Sequence, residues 1–76
     1  MKKFVILKNG ERIETQIAKR DADVVSMLTK RFEPRFSPQQ WRLVEKNRIE
    51  VSVNSHSDIY EVKLESEWLE SQIPPG

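Results

Sequence analysis

Phe36-Ser37-Pro38-Gln39-Gln40-Trp41-Arg42-Leu43-Val44-Glu45-Lys46-Asn47 stands in the middle of the 76-residue chain and carries several helix-start signals together. Ser37 is a preferred N-cap, and Pro38, with its fixed φ, suits the first helical position. Gln40 falls three residues after the cap, where a capping-box side chain reaches back, and Phe36 and Trp41 take the two positions of a hydrophobic staple. This pattern predicts a helix over residues 38–46 with Asn47 as a left-handed C-cap, anchored inward by Trp41 and Val44.

Working outward, residues 3–8 and 11–18 flank Asn9-Gly10. That dipeptide is the strongest short hairpin signal, because a type I′ turn needs positive φ at both central residues. A two-residue loop sets Lys8 opposite Glu11, Ile6 opposite Ile13 and Phe4 opposite Thr15, so that Phe4, Ile6, Ile13 and Ile17 share the core face. Asp21 and Asp23 then suit a helix start, where a carboxylate caps free N–H groups and meets the positive helix end. Val24, Leu28 and Phe32 repeat at helical spacing with Val25 alongside, and Pro34 forces the helix to end near Glu33.

Downstream, Ile49, Val51 and Val53 alternate with polar residues, as do Tyr60, Val62 and Leu64. Between them Asn54-Ser55-His56-Ser57-Asp58 is turn chemistry, which predicts a second hairpin with a longer loop. Ser66 opens a short helix holding Trp68, Leu69 and Ile73, which Pro74-Pro75 stops. The expected order is therefore ββααββα, one α+β domain over residues 1–73 with a tail at 74–76. Its four-stranded antiparallel sheet carries two helices on one face, plus the short C-terminal helix. Expected core positions are Phe4, Ile6, Ile13, Ile17, Val25, Leu28, Phe32, Trp41, Val44, Val51, Val53, Tyr60, Val62 and Leu64.

Composition narrows the function classes. Hydrophobic residues are 37% and charged residues 33%, too apolar for disorder and too polar for a membrane protein. No apolar run reaches the roughly 18 residues of a membrane helix, and the first residues do not resemble a signal peptide, so a soluble, cytoplasmic chain is expected. The absence of cysteine rules out a disulfide scaffold, a zinc knuckle and a thiol nucleophile. The net charge of +1 conceals a segregation, with residues 1–48 at +6 and residues 49–76 at −5. Such halves attract one another within the fold, are ordinary solvated faces, or mark a surface for an anionic partner.

Catalytic machinery is sparse. His56 is the one histidine and sits in a polar turn without a partner to orient it, which a general base requires. Glu65, Glu67 and Glu70 have the spacing of a solvated helix face. Gly10 and Gly76 are the only glycines, so no phosphate-cradling loop exists. The expectation is a non-enzymatic chain with no cofactor, no metal and no small-molecule substrate.

Two binding readings remain. Two helices followed by a hairpin is the order of a winged helix, whose second helix enters the major groove. On a helix from Ser37, Gln39, Arg42 and Lys46 share one face, and Lys30, Arg31 and Arg35 lie nearby in sequence. These side chains suit bases and phosphates. Against this, the wing-like turn carries Asp58, Glu45 borders the helix face, and the glycine of a helix-turn-helix turn is missing. The favoured reading is a protein partner or self-association. The second sheet face would carry Val5, Leu7 and Ile59; the terminal helix can cover this patch, and if it does not the patch is open to a partner. An edge strand such as residues 11–18 could also add a partner's strand.

Phe36-Ser37-Pro38-Gln39-Gln40-Trp41-Arg42-Leu43-Val44-Glu45 leading into Ile49-Glu50-Val51 resembles a segment of small Mu-like prophage proteins, in which an F-[ST]-x-x-Q helix precedes a short strand. The chain departs from that pattern at Asn47-Arg48. The resemblance implies a phage-encoded accessory protein acting as a binder in a bacterial cytoplasm, and brings no catalytic residues.

Overall fold

Asn9 and Gly10 take φ values of 53° and 84°, the left-handed geometry of a two-residue hairpin turn. A computed structural model, which describes residues 1–72, builds outward from that turn. Strand β1 (Lys2–Lys8) pairs antiparallel with β2 (Glu11–Ala18), Lys8 lying opposite Glu11 as expected. A bulge then intervenes. Leu7 faces Arg12 but Ile6 faces Glu14, so Ile13 is the extra residue and every later position is shifted by one. Because side chains alternate across a strand, the shift moves Ile13 and Ile17 off the core face, and they are 53% and 61% exposed. Glu14, Gln16 and Ala18 take the face opposite Phe4 and Ile6 in their place.

Helix α1 (Asp21–Phe32) starts one residue earlier than a cap at Asp21 would allow: Arg20 is the extended N-cap, and the Asp21 carboxylate accepts the Ala22 N–H at 2.8 Å. The expected apolar stripe is the one that is used, with Val24, Val25, Leu28 and Phe32 buried. The helix ends before Pro34, with the Glu33 N–H donating to the Thr29 carbonyl at 3.0 Å.

The expected second helix does not form. Its capping-box contact does: the Ser37 N–H donates to Gln40 Oε1, and the Gln40 N–H to the Ser37 carbonyl, both at 2.9 Å. The turn closes and goes no further. The Gln40 carbonyl accepts from Ser52 N–H instead, and residues Trp41–Glu45 run as strand β3 beside β4 (Arg48–Val53), Trp41 facing Val51 and Leu43 facing Ile49. A helix over 38–46 falls short of the roughly 12–15 residues that hold together unaided. Trp and Val also favour extended backbone, and β4 offers a row of backbone partners. Val44, expected in the core, is exposed on this strand, and Trp41 is half-buried.

Strand β5 (His56–Leu64) completes the sheet. Val53 faces His56, so the linking turn is only Asn54-Ser55, with Asn54 at φ 57°, rather than the longer loop over 54–58. The sheet has five antiparallel strands in the order β2-β1-β5-β4-β3, where four strands were expected. On one face α1 covers Phe4, Ile6, Ile49, Val51 and Val62, with Ala18, Trp41, Tyr60 and Leu64 packed around them. Helix α2 (Glu65–Ser71) follows β5 directly and packs on β1 and β5. Val5 and Leu7, which point away from α1, are 0% and 3% exposed beneath it. Each face of the sheet thus carries one helix, instead of two helices on one face. The expected contribution of Ile73, and the stop at Pro74-Pro75, lie outside the described residues.

Candidate functional site

The six basic and polar residues expected to form one anionic-partner surface do not come together. Arg31, in the last turn of α1, reaches across to β2 and donates to both Glu14 carboxylate oxygens at 2.8 and 2.9 Å. Arg42 lies on β3 and pairs with Glu50 across the β3–β4 ladder at 3.1 Å. Glu50 faces Ile59, on the side of the sheet that carries α2, so Arg31 and Arg42 lie on opposite faces. Gln39 is exposed in the turn before β3, Lys30 is exposed on α1, and the Arg35 guanidinium stands 5.7 Å from the Phe36 ring. Without a helix over residues 38–46, where Trp41–Glu45 run as a strand, the winged-helix reading loses its recognition element.

Lys46 alone of the six joins a cationic group. It stands in the β3–β4 turn, at a cleft of about 410 Å³ where Lys2, Lys19, Arg20 and Lys63 also converge, tempered by Asp21 and Glu67. These positions come from separate elements, so no spacing in the sequence could have announced the cluster. The opposed charge of the chain halves is partly used internally, since Arg42–Glu50 and Arg48–Glu61 (2.9 Å) both join the basic part to the acidic part. Exposed ion pairs of this kind each contribute little to stability.

Of the expected protein-partner patch, Val5 and Leu7 are under α2, and Arg12 lays its guanidinium 5.5 Å from the Trp68 ring above them. Ile59 is half-buried and tied to the first turn, its N–H donating to Asn9 Oδ1 at 2.9 Å and its carbonyl accepting the Asn9 N–H at 2.7 Å. Helix α2 thus closes the Val5 and Leu7 part of the patch, and the first turn holds Ile59. What stays open is an edge. Among the described residues β2 and β3 are the two outer strands, and β2 carries the exposed Ile13 and Ile17.

Around His56 the geometry is that of a hairpin end. Contrary to the expectation of a turn imidazole without a partner, His56 opens β5 and its Nε2 lies 3.0 Å from Asp58 Oδ1, both residues sitting on the α1 side of the sheet, opposite Val53 and Val51. Ser57 turns to the other face and its hydroxyl meets that of Ser52 at 3.0 Å. Among the described residues there is no group of three metal-ligating side chains, and no helix is long and apolar enough to cross a membrane.

Two carboxylates have shifted acidities with clear causes. The Arg31 guanidinium, aided by the Gln16 amide, holds the Glu14 carboxyl below its ordinary range. The Asn9 amide, donating at 2.9 Å, does the same for Asp58, with His56 and Lys8 adding to it. A depressed carboxyl pKa stabilises the fold above the unfolded value and loses that contribution as pH falls through the folded value. Stability is therefore expected to fall as pH drops below about 4, the ordinary carboxylate range. Glu14→Gln should make the decline shallower, as read by urea midpoints from neutral pH to pH 3; identical slopes would exclude the Arg31–Glu14 pair as a contributor.

No family model, curated protein or solved structure matches the chain.

Proposed function

We propose that the chain is a small non-enzymatic binding module that takes an extended protein segment onto the free edge of β2. The observation supporting this reading is that edge, with Ile13 and Ile17 exposed at 53% and 61%. An outer strand presents unpaired N–H and C=O groups, and proteins usually blunt it with Lys, Pro or charge. From Ile13 to Ile17 the strand reads Ile-Glu-Thr-Gln-Ile, and its one charge is already paired with Arg31. Main-chain hydrogen bonds would supply affinity there and the two isoleucines would supply side-chain selectivity. The resemblance to Mu-like prophage proteins extends the proposal to a phage-encoded accessory protein acting in a bacterial cytoplasm.

A second reading is supported by the cleft at Lys2, Lys19, Arg20, Lys46 and Lys63, which suits a polyanion such as nucleic acid. One experiment separates the two. The tagged chain, its Ile17→Lys variant and a Leu43→Lys control on the other edge are used to capture proteins from lysate of the source cells, and all three are passed over heparin. Edge-strand binding predicts a protein retained by the wild type and the control but lost with Ile17→Lys. Equal capture by all three, together with heparin retention that weakens steeply with salt, would transfer the function to the cleft.

A further inference from the structure

We infer that the segment accepted by the β2 edge is β2 of a second copy, paired antiparallel about a two-fold axis at Thr15. The inference rests on the edge-strand reading and names its occupant. A two-fold axis perpendicular to a sheet keeps each side chain on its own face, so such an axis must pass through a residue position rather than between two. Three centres are available in the middle of the strand. An axis at Glu14 would set that carboxylate against its own copy, which is destabilising for like charges directly opposite. An axis at Gln16 would place Ile17 against Thr15 and Ile13 against Lys19.

An axis at Thr15 places Ile13 against Ile17 of the other copy and Ile17 against Ile13, with Thr15 against Thr15 between them. Thr15 and Ile17 lie on the α2 side of the sheet, opposite Val5 and Lys3, and Ile13, the unpaired residue of the bulge, joins them by alternation from Glu14. On that other side Glu14 meets Gln16 of the second copy, an acceptor against an amide donor, while Arg31 keeps the carboxylate neutralised. The pattern is self-complementary on both faces, as an isologous interface requires.

The bulge between Ile6/Glu14 and Leu7/Arg12 limits the new ladder to residues 13–17, since face alternation breaks beyond it. The paired surface is therefore small, and association belongs to the weak, concentration-dependent class. The other outer strand is a poorer candidate. β3 carries Arg42 and Glu45, and its own bulge between Leu43 and Glu45 leaves a regular run of only residues 41–43.

Sedimentation from micromolar to millimolar concentration tests the inference. The apparent mass is expected to rise from 9.0 kDa toward twice that value, and Ile17→Lys is expected to hold it at 9.0 kDa with an unchanged denaturation midpoint. The chain has no cysteine, so Thr15→Cys provides a single thiol on the axis. Directly opposed Cβ atoms lie about 4.5–5.5 Å apart in a non-hydrogen-bonded or hydrogen-bonded pair, close to disulfide reach. Mild oxidation should cross-link Thr15→Cys readily and Gln16→Cys poorly, because the Gln16 copies are only diagonal neighbours. A wild type that stays at 9.0 kDa throughout, or equal cross-linking of the two variants, overturns the self-pairing. If Ile17→Lys then still abolishes capture of another protein, the edge-strand reading survives it; a dimer that Ile17→Lys fails to break overturns the inference and takes β2 out of both.

Discussion

Phe32→Ala is expected to remove about 3–5 kcal/mol of stability, the usual range for truncating a buried aromatic. A chain of 76 residues holds only about 4–11 kcal/mol in total at ordinary per-residue stability. Phe32 ends α1 and is 4% exposed. Its ring centroid lies 4.9 Å from that of Tyr60, 5.8 Å from Phe36 and 6.3 Å from Trp41, in tilted or edge-on arrangements. It is thus the one ring that joins the helix, the turn before β3, the outer strand and β5. Removing it leaves three aromatic partners without a centre. Trp41→Ala should be the milder change, since that indole sits at the sheet edge, half-buried and open on one side. Urea midpoints of the two variants, compared at equal slope, decide the order. A larger loss at Trp41 would mean that the indole, not Phe32, organises this end of the core.

The elements that read correctly from the sequence are those whose signals are local and unopposed. Asn9-Gly10 sets the first turn because its left-handed geometry excludes most other residues. The α1 stripe and the stop at Pro34 are of the same kind. Ser37-Pro38-Gln39-Gln40 is more instructive. Its local chemistry is real, down to the Gln40 side chain accepting from the Ser37 N–H, yet it governs one turn only. Whether the next residues coil or extend depends on β4, which offers backbone partners through a register set elsewhere in the chain. Helix-start signals say how a turn closes, and tertiary pairing decides whether the chain leaves that turn as helix or strand.

The bulge at Ile13 was illegible for a related reason. Ile-Glu-Thr-Gln-Ile alternates equally well in either register, and the extra residue is neither glycine nor asparagine. Its consequence runs through the whole candidate site. One displaced position turns two isoleucines from presumed core into the exposed feature of an outer strand, and brings Glu14 within reach of Arg31. The cationic cleft was hidden differently, since its lysines are brought together only when the sheet order is known. Arg42, by contrast, was expected outward and is outward, but its charge is taken up by Glu50.

Val5→Lys is expected to cost about 3–5 kcal/mol, the penalty of an interior charge with no compensating partner, and so to leave the chain at the edge of folding or beyond it. Val5 is 0% exposed, lies between Thr15 and Lys63 on the neighbouring strands, and is covered by α2. A cation placed there has Thr15 and Lys63 directly opposite, and the nearest carboxylate on that face, Glu61, already lies 3.9 Å from Lys63. The comparison that gives the result meaning is Ile17→Lys, on the same side of the same sheet. Ile17 pairs with Lys3 two positions along the ladder, outside the cover of α2. There the same substitution should stay within about 0.5 kcal/mol of wild type, as exposed replacements do. Identical chemistry on one face, with a large loss at Val5 and almost none at Ile17, would mark the boundary of the terminal helix's footprint and separate the closed patch from the open edge. A Val5→Lys chain that unfolds cooperatively at the wild-type midpoint would mean that α2 is not docked, and would return Val5 and Leu7 to the surface offered to a partner.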